Sequence, residues 1–341
     1  MSKSTGLTPD LPLLLAGDIG GTKTHLALWR STSHGLERLR HAQFPSQQFP
    51  SLQAVIALFL QGESVQAAAF GIAGPVLEQT VQTTNLPWRL AASDLSSQLG
   101  GAPVRLINDL EATALGALTL PASSLRIVQQ GIERKGPIAV IAAGTGLGQA
   151  YLAWDGQHHW PAATEGGHVD FSPSTPQEQR LLSWAEAQWG HVSWERFVSG
   201  PGLATLFAFL RDEQGRPVAP GVVEHLRTGS DPGAVIGEAA VAGTCETCRE
   251  AALWLLRLYA AQAGNLALTV MALGGVLLGG GVIVRLLPLL DDLEFARQFA
   301  NKGRYQSLLG QVPIAVILQP ETALLGAAAQ AQKLAEASCV A

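Results

Sequence analysis

Charge is scarce in this chain of 341 residues. Acidic and basic side chains make up 14% of it, against 47% apolar. That balance permits a large buried core and disfavours disorder. The formal net charge of -5 counts against a nucleic-acid partner, because a surface that tracks phosphates is usually basic. Cysteine is scarcer still, with three in all. Cys245 and Cys248 form one C-x-x-C, and Cys339 stands near the end. A structural zinc takes about four ligands, and no second pair stands at a suitable spacing. The surrounding TCETCREAALWLL reads as a helix carrying two thiols, and an odd, sparse cysteine count fits a reducing compartment.

Long apolar runs are also missing where they would matter. Leu13–Ala16 is too short for a signal peptide and leads straight into a glycine motif. Leu266–Val284 carries no charge and is long enough to raise a membrane reading. It holds Gly274, Gly275, Gly279, Gly280 and Gly281, which suit a buried strand or a helix broken by a glycine turn better than a lipid-facing helix.

Glycine, by contrast, is abundant, and it punctuates a recurring pattern. Leu13–Asp18 reads as an apolar strand ending in Gly-Gly-Thr, with Thr24–Trp29 as the returning strand. Ile138–Ala143 is again an apolar strand, followed by Gly144-Thr-Gly-Leu-Gly148 and a second strand at Gln149–Trp154. Strand, glycine turn, strand thus occurs twice, and two halves built alike are expected. Helices are expected at 52–60, 176–189, 203–210 and 249–263, and further short strands at 67–70, 104–107 and 314–318. Leu120–Pro137 reads as a linker or surface excursion. The class is α/β with mixed sheets.

Gly17-Asp-Ile-Gly-Gly-Thr-Lys-Thr24 superficially matches a Walker A loop. Thr22 stands where that motif needs glycine, and a strand follows instead of a helix. The glycines still let backbone N–H groups approach an anion. Asp18 in such a loop repels phosphate unless a divalent cation stands between them. The segment reads as a Mg-phosphate site or, more simply, as a tight hairpin. Gly144-Thr145-Gly repeats the logic without the acid, and Gly279-Gly280-Gly281 allows close approach of an adenosine or marks a packing turn. Asn108-Asp109 sits where a strand meets the helical pattern DLEATALGAL. Asn is a good N-cap and Asp suits a first turn, so capping alone explains the pair. Glu165-Gly-Gly-His168 and Glu195 are polar islands in weakly charged surroundings, suited to hydrogen bonding a polyol. One Glu-x-x-His broken by glycines is no di-iron site. Ser199 lacks the surroundings of a nucleophile elbow.

Taken together, GDIGGTKTHLAL (17–28), GIAGPV (71–76), TNLPW (84–88), INDLEATALG (107–116), AAGTGLG (142–148), EGGHVDFSP (165–173), ERFVSGPGL (195–203) and LLGGGVIVRLLPLL (277–290) resemble the bacterial glucokinase family of the actin-like ATPase superfamily. KGRYQSLLGQVPIAVI (302–317) and ALLGAAA (323–329) carry the likeness onward, so it runs in order from about residue 13 to 335. The resemblance implies two ribonuclease-H-like domains around a central cleft. The small one would span 1–110, with a C-terminal helix near 322–337 packing back on it, and the large one 111–321. It implies a cytoplasmic, homodimeric, ATP-dependent kinase that phosphorylates the 6-hydroxyl of glucose. A kinase for another hexose and a non-catalytic sugar sensor are the alternatives. It implies Asp109 as the base and Asn108, Asp109, Glu165, His168 and Glu195 as sugar ligands. Gly17, Asp18, Ile19, Gly20, Gly21, Thr22, Gly144, Thr145 and Gly280 would line the nucleotide, with Asp18 acting on Mg²⁺ indirectly. A related group carries a cysteine-rich zinc motif after its Glu-x-x-His. Here Asp170-Phe-Ser-Pro follows, so no structural zinc is expected.

Overall fold

The computed structural model describes residues 13–33, 35–83 and 86–340. Thr84 and Asn85 of the TNLPW motif and the Cys339 side chain lie outside the described residues. The architecture is α/β, and the chain divides into two compact units, Met1–Leu120 with Glu321–Ala341, and Pro121–Pro320.

The first unit is built on β1 (Leu13–Ile19), β2 (Lys23–Thr32), β3 (Gly35–Pro45), β4 (Ala67–Ile72) and β5 (Val104–Asn108), in the order β3-β2-β1-β4-β5. β1, β2 and β3 pair antiparallel, whereas β1–β4 and β4–β5 are parallel. Parallel neighbours need a crossover, and α1 (Leu52–Leu60) lies in the chain between β3 and β4. Ser51 caps α1 by accepting from the Ala54 N–H at 3.3 Å. Strands covered on both faces read as nearly continuous apolar runs, as LLLAGDI and AAAFGI do. One face places Leu15, Ile19, Leu26 and Phe70 in a core with Val55, Ile56 and Phe59 of α1. The other places Leu14, Ala16, Ala27, Ala67 and Ala69 with Leu324, Ala327, Ala328 and Ala331 of the C-terminal helix Thr322–Val340. Alanine on both sides lets that helix lie close to the sheet.

Closer still is the crossing between α2 (Asp109–Ala117) and the C-terminal helix. A Cβ on Gly116 would stand 1.9 Å from the Thr322 carbonyl oxygen, and one on Gly326 would stand 1.8 Å from that of Ala112. Backbone meets backbone there.

The second unit contains β6 (Leu125–Gln129), β7 (Ile138–Ala143), β8 (Leu147–Trp154), β9 (His159–Thr164), β10 (Gly275–Gly279) and β11 (Ile314–Ile317), in the order β9-β8-β7-β10-β11-β6. Leaving β6 aside, the strand order and directions repeat those of the first sheet. Its large core takes in α3 (Pro176–Trp189), α4 (Gly200–Asp212) and the long α5 (Glu246–Thr269). Cys245 stands at the N-cap position of α5 without a side-chain capping bond, and Cys248 follows in the first turn, both buried and free.

Two expectations change and a third is met. Leu120–Pro137 is not a linker, because β6 within it pairs antiparallel with β11. Its burial pattern is mostly intermediate, so the apolar signal of a buried strand is weak. The boundary expected at residue 110 falls inside α2, and the chain divides after Leu120. The uncharged stretch 266–284 is the end of α5, a turn, β10 and the start of a short helix at Gly281. Among the described residues no helix is long and apolar enough to cross a membrane.

The helix crossing generates a prediction. Exchanging an exposed helical glycine for alanine gains up to about 1 kcal/mol. Gly326→Ala should do the reverse, because its methyl meets backbone that cannot rotate away. A loss of about 3 kcal/mol is expected, at the upper end of overpacking. Urea unfolding followed by circular dichroism measures it, and an unchanged midpoint would mean that the helices separate freely.

Candidate active site

The carboxyl ends of β1, β4 and β5 finish in register, with Ile19 beside Ile72 and Ile72 beside Asn108. Ligands of open α/β sheets bind outside the carboxyl ends of parallel strands. Asp18 stands one residue before the end of β1, half-buried, with His25 of β2 and Gly71 of β4 as its cross-strand neighbours. Burial pushes its carboxyl from 3.8 up to about 6.

α2 starts at the end of β5. Asn108 is its N-cap, accepting from the Leu110 N–H at 2.8 Å, while Glu111 Oε2 accepts from the Asn108 N–H at 2.9 Å. The Asn108 amide also donates to the Gly74 carbonyl at 3.1 Å. Capping and tethering therefore occupy Oδ1 and one N–H, and leave the second N–H of the amide for a ligand. Asp109 is the first helical residue, half-exposed, and its Oδ1 accepts from the Leu110 N–H at 2.9 Å. A Cβ on Gly71 would come within 2.9 Å of Ala112 Cβ and 3.8 Å of Asp109 Cα. The bare glycine lets the first turn of α2 settle over the strand, so Asp18 and Asp109 both border Gly71.

The hairpin after Asp18 is held from beneath. Gly20 N–H donates to the Lys23 carbonyl at 2.9 Å, and the Ser46 N–H donates to the Thr22 carbonyl at 3.0 Å. Ser46 Oγ donates to the Gly20 carbonyl at 2.8 Å and lies 3.0 Å from Thr24 Oγ1. Two acceptors of the hairpin are thereby turned toward the protein. Gly17 lies within β1, where a Cβ would press to 2.6 Å from Phe70 Cδ1, so packing alone demands a glycine there. Ile19 is buried in the core beside α1.

In the second unit, Gly144 N–H donates to the Gly146 carbonyl at 2.8 Å, and the Gly144 carbonyl accepts from Gly200 N–H at 2.8 Å. Thr145 is exposed at the tip of this hairpin. Glu195 Oε2 accepts from the Leu147 N–H at 2.8 Å, and its Oε1 lies 3.8 Å from His168 Nδ1. Glu165 and His168 share one turn, closed by the His168 N–H donating to the Glu165 carbonyl at 3.0 Å. That turn rests on the start of β8, because a Cβ on Gly167 would stand 1.8 Å from the Leu147 carbonyl oxygen. Gly280 has φ +87°, and a Cβ there would stand 2.1 Å from the Ala143 carbonyl oxygen. Its backbone lies against the base of the glycine hairpin.

The residues expected from sequence thus fall into two sets. In the first unit Asp18 and Asp109 each border Gly71, with Asn108 ending the next strand and the Gly17–Thr22 segment around Asp18. Glu165, His168 and Glu195 gather with Gly144, Thr145 and Gly280 around the second hairpin. Four supporting residues escaped the sequence reading. Ser46 is fully buried under the first hairpin. Ser199 Oγ donates to the Glu195 carbonyl at 2.8 Å and accepts from the Gly202 N–H at 2.9 Å. Tyr259 Oη lies 2.7 Å from the Ile141 carbonyl and 3.0 Å from that of Gly279, joining the ends of β7 and β10. Gln149 is buried, and its Nε2 has no hydrogen-bond partner among the described residues. A buried donor of that kind is costly unless a ligand or water takes it. A lone amide in an apolar strand was the signal for Gln149; Ser46 and Tyr259 had none.

Comparisons with known proteins agree in scope with this geometry. The Glucokinase family profile matches residues 15–334. The glucokinase of Nostoc sp. is 37% identical over 342 residues, covering 95% of this chain and all of that one. The glucokinase of Aromatoleum aromaticum is 37% identical over 331 residues, 95% of this chain and 96% of that protein. The crystal structure of glucokinase from an Antarctic psychrotroph superposes with a TM-score of 0.82 at 29% identity, over 94% of this chain and 99% of the other. Glucokinase from Balamuthia mandrillaris, solved in complex with glucose, shares the fold with a TM-score of 0.77 at 23% identity, over 96% and 95% of the two chains. With the profile spanning nearly the whole chain and relatives above a third identical over 96% or more of their own length, this chain belongs to the glucokinase family.

Proposed function

We propose that the protein transfers the γ-phosphoryl group of ATP to the 6-hydroxyl of glucose, giving glucose 6-phosphate and ADP. The observation that carries the reading is Asp109 on the first turn of α2, bordering Gly71 together with Asp18 at the carboxyl ends of three parallel strands. The shared strand order of the two sheets supports reading each unit as a ribonuclease-H-like domain. A cytoplasmic homodimer is proposed on family resemblance alone.

In this reading the sugar 6-oxygen attacks the γ-phosphorus as the bond from that phosphorus to the bridging oxygen of ADP breaks. The hydroxyl proton passes to the Asp109 carboxylate. Phosphoryl transfer through a loose transition state depends mainly on positioning and charge stabilisation, so a modest base in the right place suffices. The helix N-terminus favours the ionised form of Asp109. Asn108 is assigned to a sugar hydroxyl through its remaining N–H. Glu165, His168 and Glu195 are assigned to others. Glu195 has a second task, since its Oε2 holds the Leu147 N–H of the glycine hairpin while Oε1 faces His168. It thereby ties the proposed sugar loop to the proposed phosphate loop.

Asp18 fits a divalent cation. Burial raises its carboxyl to about 6, so a positive charge nearby would recover the lost ionisation energy. Bound there through water, Mg²⁺ would screen the charge of the ATP phosphates. The chain's own part is to hold that carboxylate at the end of β1 and to keep the hairpin in place through Ser46.

Three outcomes test this reading. Asp109→Asn keeps size and capping but removes the proton acceptor; turnover should fall by about 10²–10⁴ while glucose still binds by calorimetry. Retention of more than about a tenth of turnover, far short of that loss, would place the base elsewhere. His168→Ala should raise KM for glucose about tenfold to a hundredfold, the worth of one buried hydrogen bond at about 1–3 kcal/mol, with KM for ATP nearly unchanged. Asp18→Asn should impair Mg²⁺-dependent turnover yet stabilise the fold. The folded state binds Asp18's proton more tightly than the unfolded state does, so stability falls as pH rises from 3.8 through about 6. At pH 7 the asparagine variant should be more stable by about 1–3 kcal/mol, and the gain should fade toward pH 4. Parallel unfolding curves at the two pH values measure it, and an equal gain at both would remove the carboxylate's ionisation as its cause.

A further inference from the structure

His25 on β2, His41 on β3 and Glu321, immediately before the C-terminal helix, converge in the first unit. His25 Nε2 lies 3.0 Å from His41 Nδ1. Glu321 Oε1 lies 3.7 Å from the first nitrogen and 3.8 Å from the second. The two rings meet nitrogen to nitrogen, tilted by 46°, and do not stack. None of the three residues has a part in the proposed phosphoryl transfer.

We propose that this triad is a binding site for a divalent transition-metal cation of the zinc class. The first argument is the size of the triangle. Four ligand atoms about 2.0–2.2 Å from a tetrahedral zinc stand about 3.3–3.6 Å from one another. The three observed separations bracket that range, and shifts of a few tenths of an ångström bring them onto it. The second argument is ligand chemistry. Two imidazoles and one carboxylate suit zinc, cobalt, nickel or copper, whereas magnesium and calcium take oxygen. The ligand set therefore differs from the oxygen ligands proposed for Mg²⁺ at Asp18, the cross-strand neighbour of His25. The third is support from outside the triad. Arg38 Nη1 donates to Glu321 Oε2 at 2.6 Å, which turns Oε1 toward the imidazoles in the manner of an outer-shell partner.

Access and consequence follow from burial. His25 is buried, Glu321 has a quarter of its side chain exposed and His41 about half, so an ion enters from the His41 side. Three protein ligands leave a fourth position for water. The expectation of no structural zinc rested on cysteine spacing; this triad has no cysteine, and its members are separated by 16 and 280 residues in the chain (His25 to His41 and His41 to Glu321). An ion held here joins the outermost strand β3 to β2 and to the start of the C-terminal helix, so binding adds to stability by mass action.

The test uses the full chain, stripped of metal, without nucleotide, and titrated with zinc chloride by calorimetry and thermal melting. The wild type should bind zinc and melt at a higher temperature in its presence. His41→Ala, a change at a half-exposed position, and Glu321→Gln, which preserves shape, should each weaken the zinc affinity at least tenfold and abolish the thermal shift. Both variants keep Cys245 and Cys248, so zinc held by those thiols would bind wild type and variants alike. Equal affinity in all three proteins, or no binding by the wild type, overturns the proposal.

Discussion

The contact on which the first unit depends is the backbone crossing of α2 and the C-terminal helix at Gly116 and Gly326. Two helices that touch through main chain have no side chain to shift when strained, so their relative position is tightly determined. That position sets where α2 begins. Gly71 then admits the first turn of α2 against β4, which puts Asn108 and Asp109 at the ends of the parallel strands, with Gly71 between Asp109 and Asp18. A residue proposed to accept a proton is thus located by packing more than twenty residues away in the chain from Gly71 and more than two hundred from Gly326. The last helix of the chain is part of that apparatus.

The second unit solves a similar problem with side chains as well as glycines. Glu195 reaches both the Leu147 N–H and His168, and Ser199 holds the Glu195 main chain. Gly167 and Gly280 bring two further segments onto the ends of β8 and β7. Tyr259, wholly buried, draws the β7 and β10 carbonyls together, and burial pushes its hydroxyl well above the usual phenol range, so it stays a neutral donor. Asp18 shows the opposite economy. Its burial opposes its own ionisation, a local cost to the fold that makes sense where a cation is to be held.

Much of the fold was legible because the signals are local. The apolar runs of β1, β4 and β7, the cap Asn108 and the helix at Leu52–Leu60 follow from a few neighbouring residues. β3 and β6 were not legible. Both are outermost strands, one in each sheet. An edge strand buries fewer side chains, so Gly35–Pro45 carried no strand signal and Leu125–Gln129 fell within a stretch read as a linker or surface excursion. The division of the chain at Leu120 was hidden for another reason. Whether α2 belongs with the strands before it or those after it depends on the C-terminal helix, two hundred residues on.

By itself the sequence determined the α/β class, the two glycine hairpins and the identity of the polar residues near them, since propensity and motif spacing act over short stretches of chain. Only the tertiary structure decided which of those residues meet. Ser46 under the first hairpin, Gln149 with a buried Nε2 unpartnered among the described residues, and His25, His41 and Glu321 in one triad are juxtapositions set by strands and helix ends distant in sequence. Such encounters are set by sheet register and by how closely helices pack, and neither quantity is encoded in any local window of the chain.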